Sequence, residues 1–254
     1  MQLKTVVAAL VFAMPALALA ECKVNEPDSL SIYDGTIGEK YRVRMTLILA
    51  GGKVTGQYFY ASQLRDIAVQ GTVTRGQDIV LDELDGQGRP TARFEATFPE
   101  RDPKGGYGGS PLACEVIVGS WSKVGSSEKL PVYLSMTHGT HGTLNGRYAL
   151  IDGDDELIHR RALAFQQAVR RGDKKAVAAL LTYPMRVNSA SGRKRVRSPA
   201  EFVARYDAIF SSSYRDAILR AIPRAMFVRD QGVMLGDGEV WFGPDGKVTT
   251  LNSP

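Results

Sequence analysis

The chain has 254 residues, 44% of them hydrophobic and 23% charged, with 32 Lys and Arg against 27 Asp and Glu and a formal net charge of +5. Beyond the N-terminus no apolar run approaches membrane-spanning length, which excludes a helical span there. Two cysteines with no close histidine supply too few ligands for a metal site, and no catalytic motif is legible.

The chain opens Met1-Gln2-Leu3-Lys4, runs apolar from Thr5 to Leu19 through Pro15, and closes with Ala18-Leu19-Ala20 ahead of Glu21. One early positive charge, a short hydrophobic stretch and a small-residue cleavage site predict a secretory signal peptide over 1–20. Cys22 raises the alternative of a lipid anchor, but Glu21 stands where a small residue should precede a lipidated cysteine. The expected address is the periplasm, with the extracellular space as the alternative. An oxidising compartment favours a disulfide between Cys22 and Cys114 over two free thiols. The loop it closes is long, and the chain-entropy model gives such a bridge about 4–5 kcal/mol.

Charge divides the mature chain unevenly. Glu21–Asp154 carries 14 Lys and Arg against 17 Asp and Glu, whereas Asp155–Pro254 carries 17 against 10. The asymmetry predicts two domains with different surfaces, over 21–150 and 151–254.

The first segment alternates almost continuously. Tyr41, Val43, Met45, Leu47 and Leu49 share one face of a strand, and Arg42, Arg44 and Thr46 the other. Gly51-Gly52 turns the chain into Val54–Tyr60. Further strands are expected over Ile67–Thr74, Ile79–Leu84, Thr91–Phe98, Cys114–Trp121 and Leu130–Met136, with a short one near Leu30–Tyr33. A meander this long, with one greasy face, closes into a barrel or folds as a sandwich, and an up-and-down barrel is preferred. The Gly119-Ser120-Trp121 run resembles lipocalin- and avidin-like barrels. The rhythm of Tyr-x-Val-x-Met-x-Leu followed by Gly-x-Tyr-Phe-Tyr resembles domains of secreted bacterial proteins.

Three features there invite chemistry. Tyr58, Phe59 and Tyr60 suit ligand stacking, but strand aromatics are first of all packing residues. Asp82, Glu83 and Asp85 suggest paired carboxylates for glycoside hydrolysis, yet they read as solvated acids entering a Gly-rich turn. His138 and His141 sit in Thr137–Gly142, expected to be a loop linking the two segments and lacking a third metal ligand.

At Asp152-Gly153-Asp154-Asp155 the period changes from two to 3.6. Ile158, Ala162, Phe165 and Val169 recur on one helical face, which Gly172 ends. Asp173 caps a second helix with Val177, Leu180 and Leu181 inward. Tyr183–Val187 reads as a strand. Ser198-Pro199-Ala200-Glu201 is a capping box, opening a helix that presents Phe202, Tyr206, Ile209 and Phe210. A short helix from Ser213 precedes three strands, about Arg224–Val228, Val233–Phe242 and Lys247–Leu251. Gln231–Phe242 is expected to be the central strand. Gly236 and Gly238 would bend it, and Glu239 and Trp241 would share one face beyond the bend.

This order of elements resembles the nuclear-transport-factor-like (cystatin-like) superfamily. The fragments that carry the likeness are Asp-x-x-Ala-Val-Ala-x-Leu-Leu, Tyr183-Pro184-Met185-Arg186-Val187, Glu201-Phe202 with Tyr206, and Gly232–Phe242. The resemblance implies an α+β cone: helices packed on a curved antiparallel sheet, with a pocket at the wide end. Some members are isomerases, dehydratases or hydrolases, and many only bind or dimerise. The Asp/His pairs of the enzymes have no counterpart here, because the one histidine of this segment, His159, reads as a solvated helix residue beside Arg160 and Arg161.

The pocket expected of such a cone is Tyr183, Arg186, Tyr206, Glu239 and Trp241, with arginine and glutamate orienting a carboxylate or sugar. The alternative is a surface ion pair between Arg186 and Glu239, with the two aromatics in the core. The basic run Arg193-Lys194-Arg195-x-Arg197 lacks the interleaved aromatics of a nucleic-acid site. The run reads first as a plain solvated turn; in an exported protein an anionic envelope polymer or lipid headgroups are better partners than nucleic acid. The sequence therefore reads as an exported, non-enzymatic binding protein of the bacterial cell envelope, with no cofactor and with a polymer or protein partner. An enzyme with Glu239 as general base and Tyr206 as hydrogen-bond donor is the alternative. A third role for the C-terminal sheet is homodimerisation.

Overall fold

The structure, a computed structural model, describes residues 29–74, 77–99, 101–105, 114–190 and 192–253. The expected leader and Cys22 lie outside them. Eight antiparallel strands come first: β1 (Ser29–Ile37), β2 (Tyr41–Ala50), β3 (Lys53–Tyr60), β4 (Ile67–Thr74), β5 (Asp78–Leu84), β6 (Pro90–Thr97), β7 (Val116–Lys123) and β8 (Leu130–His141). They pair in sequence order, and β8 returns to β1, closing a barrel. A barrel of this strand number has an interior that side chains alone can fill. Val43, Met45, Leu47 and Leu49 alternate inward as expected and meet Tyr33, Tyr58, Leu81, Phe94 and Leu134. Tyr41 leaves that face for solvent, since it stands at the barrel's rim. Close strand approach explains two glycines: a Cβ at Gly71 would fall on the Val80 carbonyl oxygen, and one at Gly119 on that of Glu95.

Two expectations need correction here. β1 runs on to Ile37, and β8 runs on to His141, so Thr137–His141 is strand rather than linker. Their pairing, Ser29 with His141 through Ile32 with His138, shifts register between Ile32 and Tyr33. Pairing with each other on both sides of that bulge keeps the two strands going beyond the stretch where alternation is clean.

A single 3-10 turn (Ala149–Ile151) leads to helices α1 (Asp155–Arg171) and α2 (Lys174–Ala179) and strands β9 (Leu181–Ser189) and β10 (Gly192–Val196). Helices α3 (Pro199–Ile209) and α4 (Ser212–Arg220) follow, then strands β11 (Phe227–Arg229), β12 (Gly232–Leu235), β13 (Val240–Phe242) and β14 (Val248–Asn252). Each helix is capped by the residue before it: Asp154, Asp173, Ser198 and Ser211 accept from backbone N–H groups of the first turn. Glu201 reaches back past the cap and accepts from Arg197 N at 2.8 Å. Among the described residues no helix is long and apolar enough to cross a membrane.

The six strands order as β10-β9-β14-β13-β12-β11. β14 lies parallel to β9, so the sheet is mixed and not wholly antiparallel. Two helices and four strands separate these neighbours along the chain, more than the length a same-direction return requires. Helix residues Phe165, Val169 and Phe202, with Phe210 just past α3, pack with Met185, Val187, Val240, Phe242 and Leu251 of the sheet. One face of the sheet is thereby covered.

The expected central strand is a hairpin. Gly236–Glu239 is the turn between β12 and β13, with Gly236 at φ +71° and Gly238 at φ +114°. Such angles suit glycine, so the two residues make the chain reverse instead of merely bending.

The barrel and the C-terminal portion meet through outward residues of the barrel. Phe59 packs on Ile222 and Ala225. Arg44, held by both oxygens of Asp34 at 2.6 and 2.7 Å, donates to the carbonyls of Arg224 and Ala225. Arg224 in turn grips Asp66 at 3.0 and 2.6 Å and Glu156 at 2.9 Å. His159 sits at this junction, 4% exposed, which corrects the expectation of a solvated helix residue. Its Nε2 accepts from Ala225 N at 3.2 Å and from the Tyr148 hydroxyl, 2.9 Å away, while that hydroxyl accepts from Met226 N. These bonds require a neutral ring protonated on Nδ1. Burial, reinforced by Arg224 and Arg147, lowers its pKa to about 4.

Candidate functional site

Strand alternation decides what the open face of the second sheet displays. Met185 and Val187 point into the core, so Arg186 points out; Val240 and Phe242 do the same for Trp241, and Val196 for Arg195. The register then lines up one row across all six strands: Arg195, Arg186, Thr250, Trp241, Met234, Phe227. Its cationic half opens on a groove of about 1120 Å³.

Arg186, Arg193 and Arg195 line that groove from the open face with Trp241, Asn188 and Asn252, and Lys194, which alternates to the helix side, borders it at the sheet's edge; no acidic side chain lines it. None of the four enters an ion pair or side-chain hydrogen bond among the described residues. Arg195 lies directly opposite Arg186. Like charges so placed cost stability, roughly 0.2–1 kcal/mol, and a bound anion would reverse the sign of that term. Trp241 adds a half-buried ring beside the cations. The face is thus built to hold negative charge next to a flat, apolar surface.

The five expected pocket residues do not converge. Arg186 and Trp241 share the groove. Tyr183 lies at its back, half-buried against the core, with its hydroxyl donating to Ala178 O at 3.1 Å; burial pushes its pKa up to about 12. Tyr206 is inside the core, stacked on Phe210 at 4.5 Å, with its hydroxyl buried and without a hydrogen-bond partner among the described residues. It cannot serve as a donor in a shared site with Glu239. Glu239 is a turn residue whose Oε2 accepts from Asp237 N at 2.6 Å. It borders a different cleft, of about 430 Å³, between sheet and barrel, lined also by Arg42, Arg44, His138 and Arg220. An Arg186–Glu239 pair does not form, because the turn takes Glu239 off the strand that carries Trp241.

Sequence reasoning treated Arg193–Arg195 apart from this pocket. The signal for joining them was Val196: a core residue at the end of a basic run makes the run a strand, with Arg193 and Arg195 on its outer side. The other chemical candidates separate. Asp82 pairs with Arg93 and Asp85 with Arg89 on the surface. Glu83 turns inward and accepts from Tyr58 at 2.5 Å, Thr91 at 2.8 Å and Trp121 at 3.2 Å. Tyr58 therefore lines the barrel interior and Phe59 the junction, as packing residues. His138 is held down to a pKa of about 4 by burial, with Arg44 adding to the effect. Among the described residues no three His, Cys, Asp or Glu side chains are grouped to hold a metal ion.

Comparisons with protein-family models, with curated proteins and with solved structures return no match for this chain.

Proposed function

We propose that this chain is an exported binding protein of the bacterial cell envelope whose ligand is anionic and is held on the open face of the C-terminal sheet. The observation that carries the proposal is the row of unpaired cations beside Trp241, with no acid in the groove. Arginine forks suit carboxylate or phosphate, and the indole suits the apolar side of a sugar ring or side chain. The same charge pattern weighs against homodimerisation through this face, since two copies would bring like charges together. The enzyme alternative draws little from Glu239 and Tyr206, which occupy separate environments.

Three further features belong to this reading. The leader over 1–20 directs the chain to the periplasm, and a Cys22–Cys114 bridge ties the mature N-terminus to the barrel. The C-terminal portion is a cystatin-like domain; helices packed on one face of its six-stranded sheet support that assignment. Binding that favours only the native state raises the melting temperature. Polyglutamate and polygalacturonate, two polyanions with different backbones, should therefore raise it at low salt and lose the effect as salt screens the charges. No shift with either polymer contradicts the proposal.

A further inference from the structure

Strand β10 forms one side of the six-stranded sheet and, among the described residues, has a strand neighbour only in β9. Alternate backbone N–H and C=O groups along Gly192–Val196 therefore face away from the sheet, free to pair with another strand. A groove lies on each side of this edge. The outer one holds Arg193 and Arg195. On the helix side a second groove, of about 650 Å³, is floored by Val187, Val196 and Ile209 and carries Lys194 and Arg205. Arg205 has Glu201 as a partner at 3.2 Å, whereas Lys194 has no ion pair among the described residues.

A strand laid against β10 would send successive side chains alternately to these two sides. One set would meet the outer arginines, and the other would enter the apolar groove. We propose that β10 takes up an extended segment of a partner protein, alternating acidic and apolar side chains, as an added strand. This rests on the anion-binding reading of the sheet face and names the kind of partner. Cations on an edge strand repel most other edges, including a second copy of this chain, which would set Arg193, Lys194 and Arg195 against their equivalents. An acidic segment converts that barrier into attraction, so the charges exclude and select at once. Main-chain pairing supplies affinity, and the two grooves supply sequence preference.

The test uses the full chain and three probes: a fluorescent peptide alternating glutamate and valine, the same peptide methylated on alternate backbone nitrogens, and polygalacturonate. The peptide should bind, and alternate amides of Arg193–Val196 should gain protection from hydrogen exchange. Methylation, by removing several main-chain hydrogen bonds, should weaken binding by about tenfold or more. Arg193→Glu with Arg195→Glu should abolish it. A methylated peptide that binds equally well overturns strand addition. So does binding of polygalacturonate without binding of the peptide, and in both cases the anion-binding face still stands. If no probe binds, both proposals fall.

Discussion

Acidification should loosen the junction between barrel and C-terminal sheet through His159. The ring is buried and neutral, with a folded pKa near 4 against an ordinary value of 6.5. A depressed folded value means that the unfolded chain binds the proton more readily. The stability that His159 contributes is then fully present above pH 6.5 and is lost as pH falls toward 4. Each pKa unit corresponds to about 1.4 kcal/mol, so the loss over this window is on the order of 3 kcal/mol, a large part of a domain's stability. Urea unfolding at intervals between pH 7.5 and pH 4 measures it directly. The slope should approach about 1.4 kcal/mol per pH unit near the middle of the window, above whatever His138 adds in the same direction. His159→Gln keeps an acceptor for the Ala225 amide and removes the titration, so its profile should be flatter by about one proton. A wild-type profile level across this window, or one that His159→Gln leaves unchanged, would refute the buried neutral histidine.

Other perturbations have equally definite outcomes. Phe59→Ala removes a ring 1% exposed, packed on Ile222 and Ala225 from outside the barrel, and should cost about 3–5 kcal/mol in chemical denaturation. A loss under about 1 kcal/mol would mean that the two portions are not packed together there. Glu239→Gln alters only a turn contact to Asp237 N, so it should cost at most about 1 kcal/mol and leave polyanion affinity unchanged. On the export proposal, intact mass of the mature chain after thiol alkylation should show no added label, as a Cys22–Cys114 bridge requires; two labelled thiols would exclude it.

Much of the barrel was legible because its strands alternate cleanly. The bounds of β4 and the inward set of β2 follow directly from that period. Legibility ended wherever a residue's fate depends on a partner distant in sequence. His138 and Gly139 look like loop residues and become strand only because β1 lies alongside. Phe59 and Arg44 occupy outward positions that read as solvated until the C-terminal portion covers them. His159 has two arginines as chain neighbours, yet its own side of α1 faces the junction. At the candidate site, strand parity sets Trp241 opposite the buried Val240 and Phe242, whereas its alignment with Arg186 depends on the pairing of β9, β14 and β13. Parity failed for Glu239, because two glycines at positive φ turned an expected bend into a reversal and restarted the alternation. Tyr206 shared its helical face with Phe202 and Phe210, and that periodicity already marked it as core.

The central claim is that a particular face, rather than the chain's overall positive charge, holds the anion. It is tested most directly by polyglutamate affinity at low salt, in two variants that lose the same charge in different places. Arg186→Ala with Arg195→Ala empties the groove, whereas Arg170→Ala with Arg171→Ala removes two exposed cations at the end of α1. The groove variant should lose about tenfold or more in affinity while the helix variant stays within about twofold of wild type. Equal losses in the two variants would contradict the claim, because binding would then follow net charge alone.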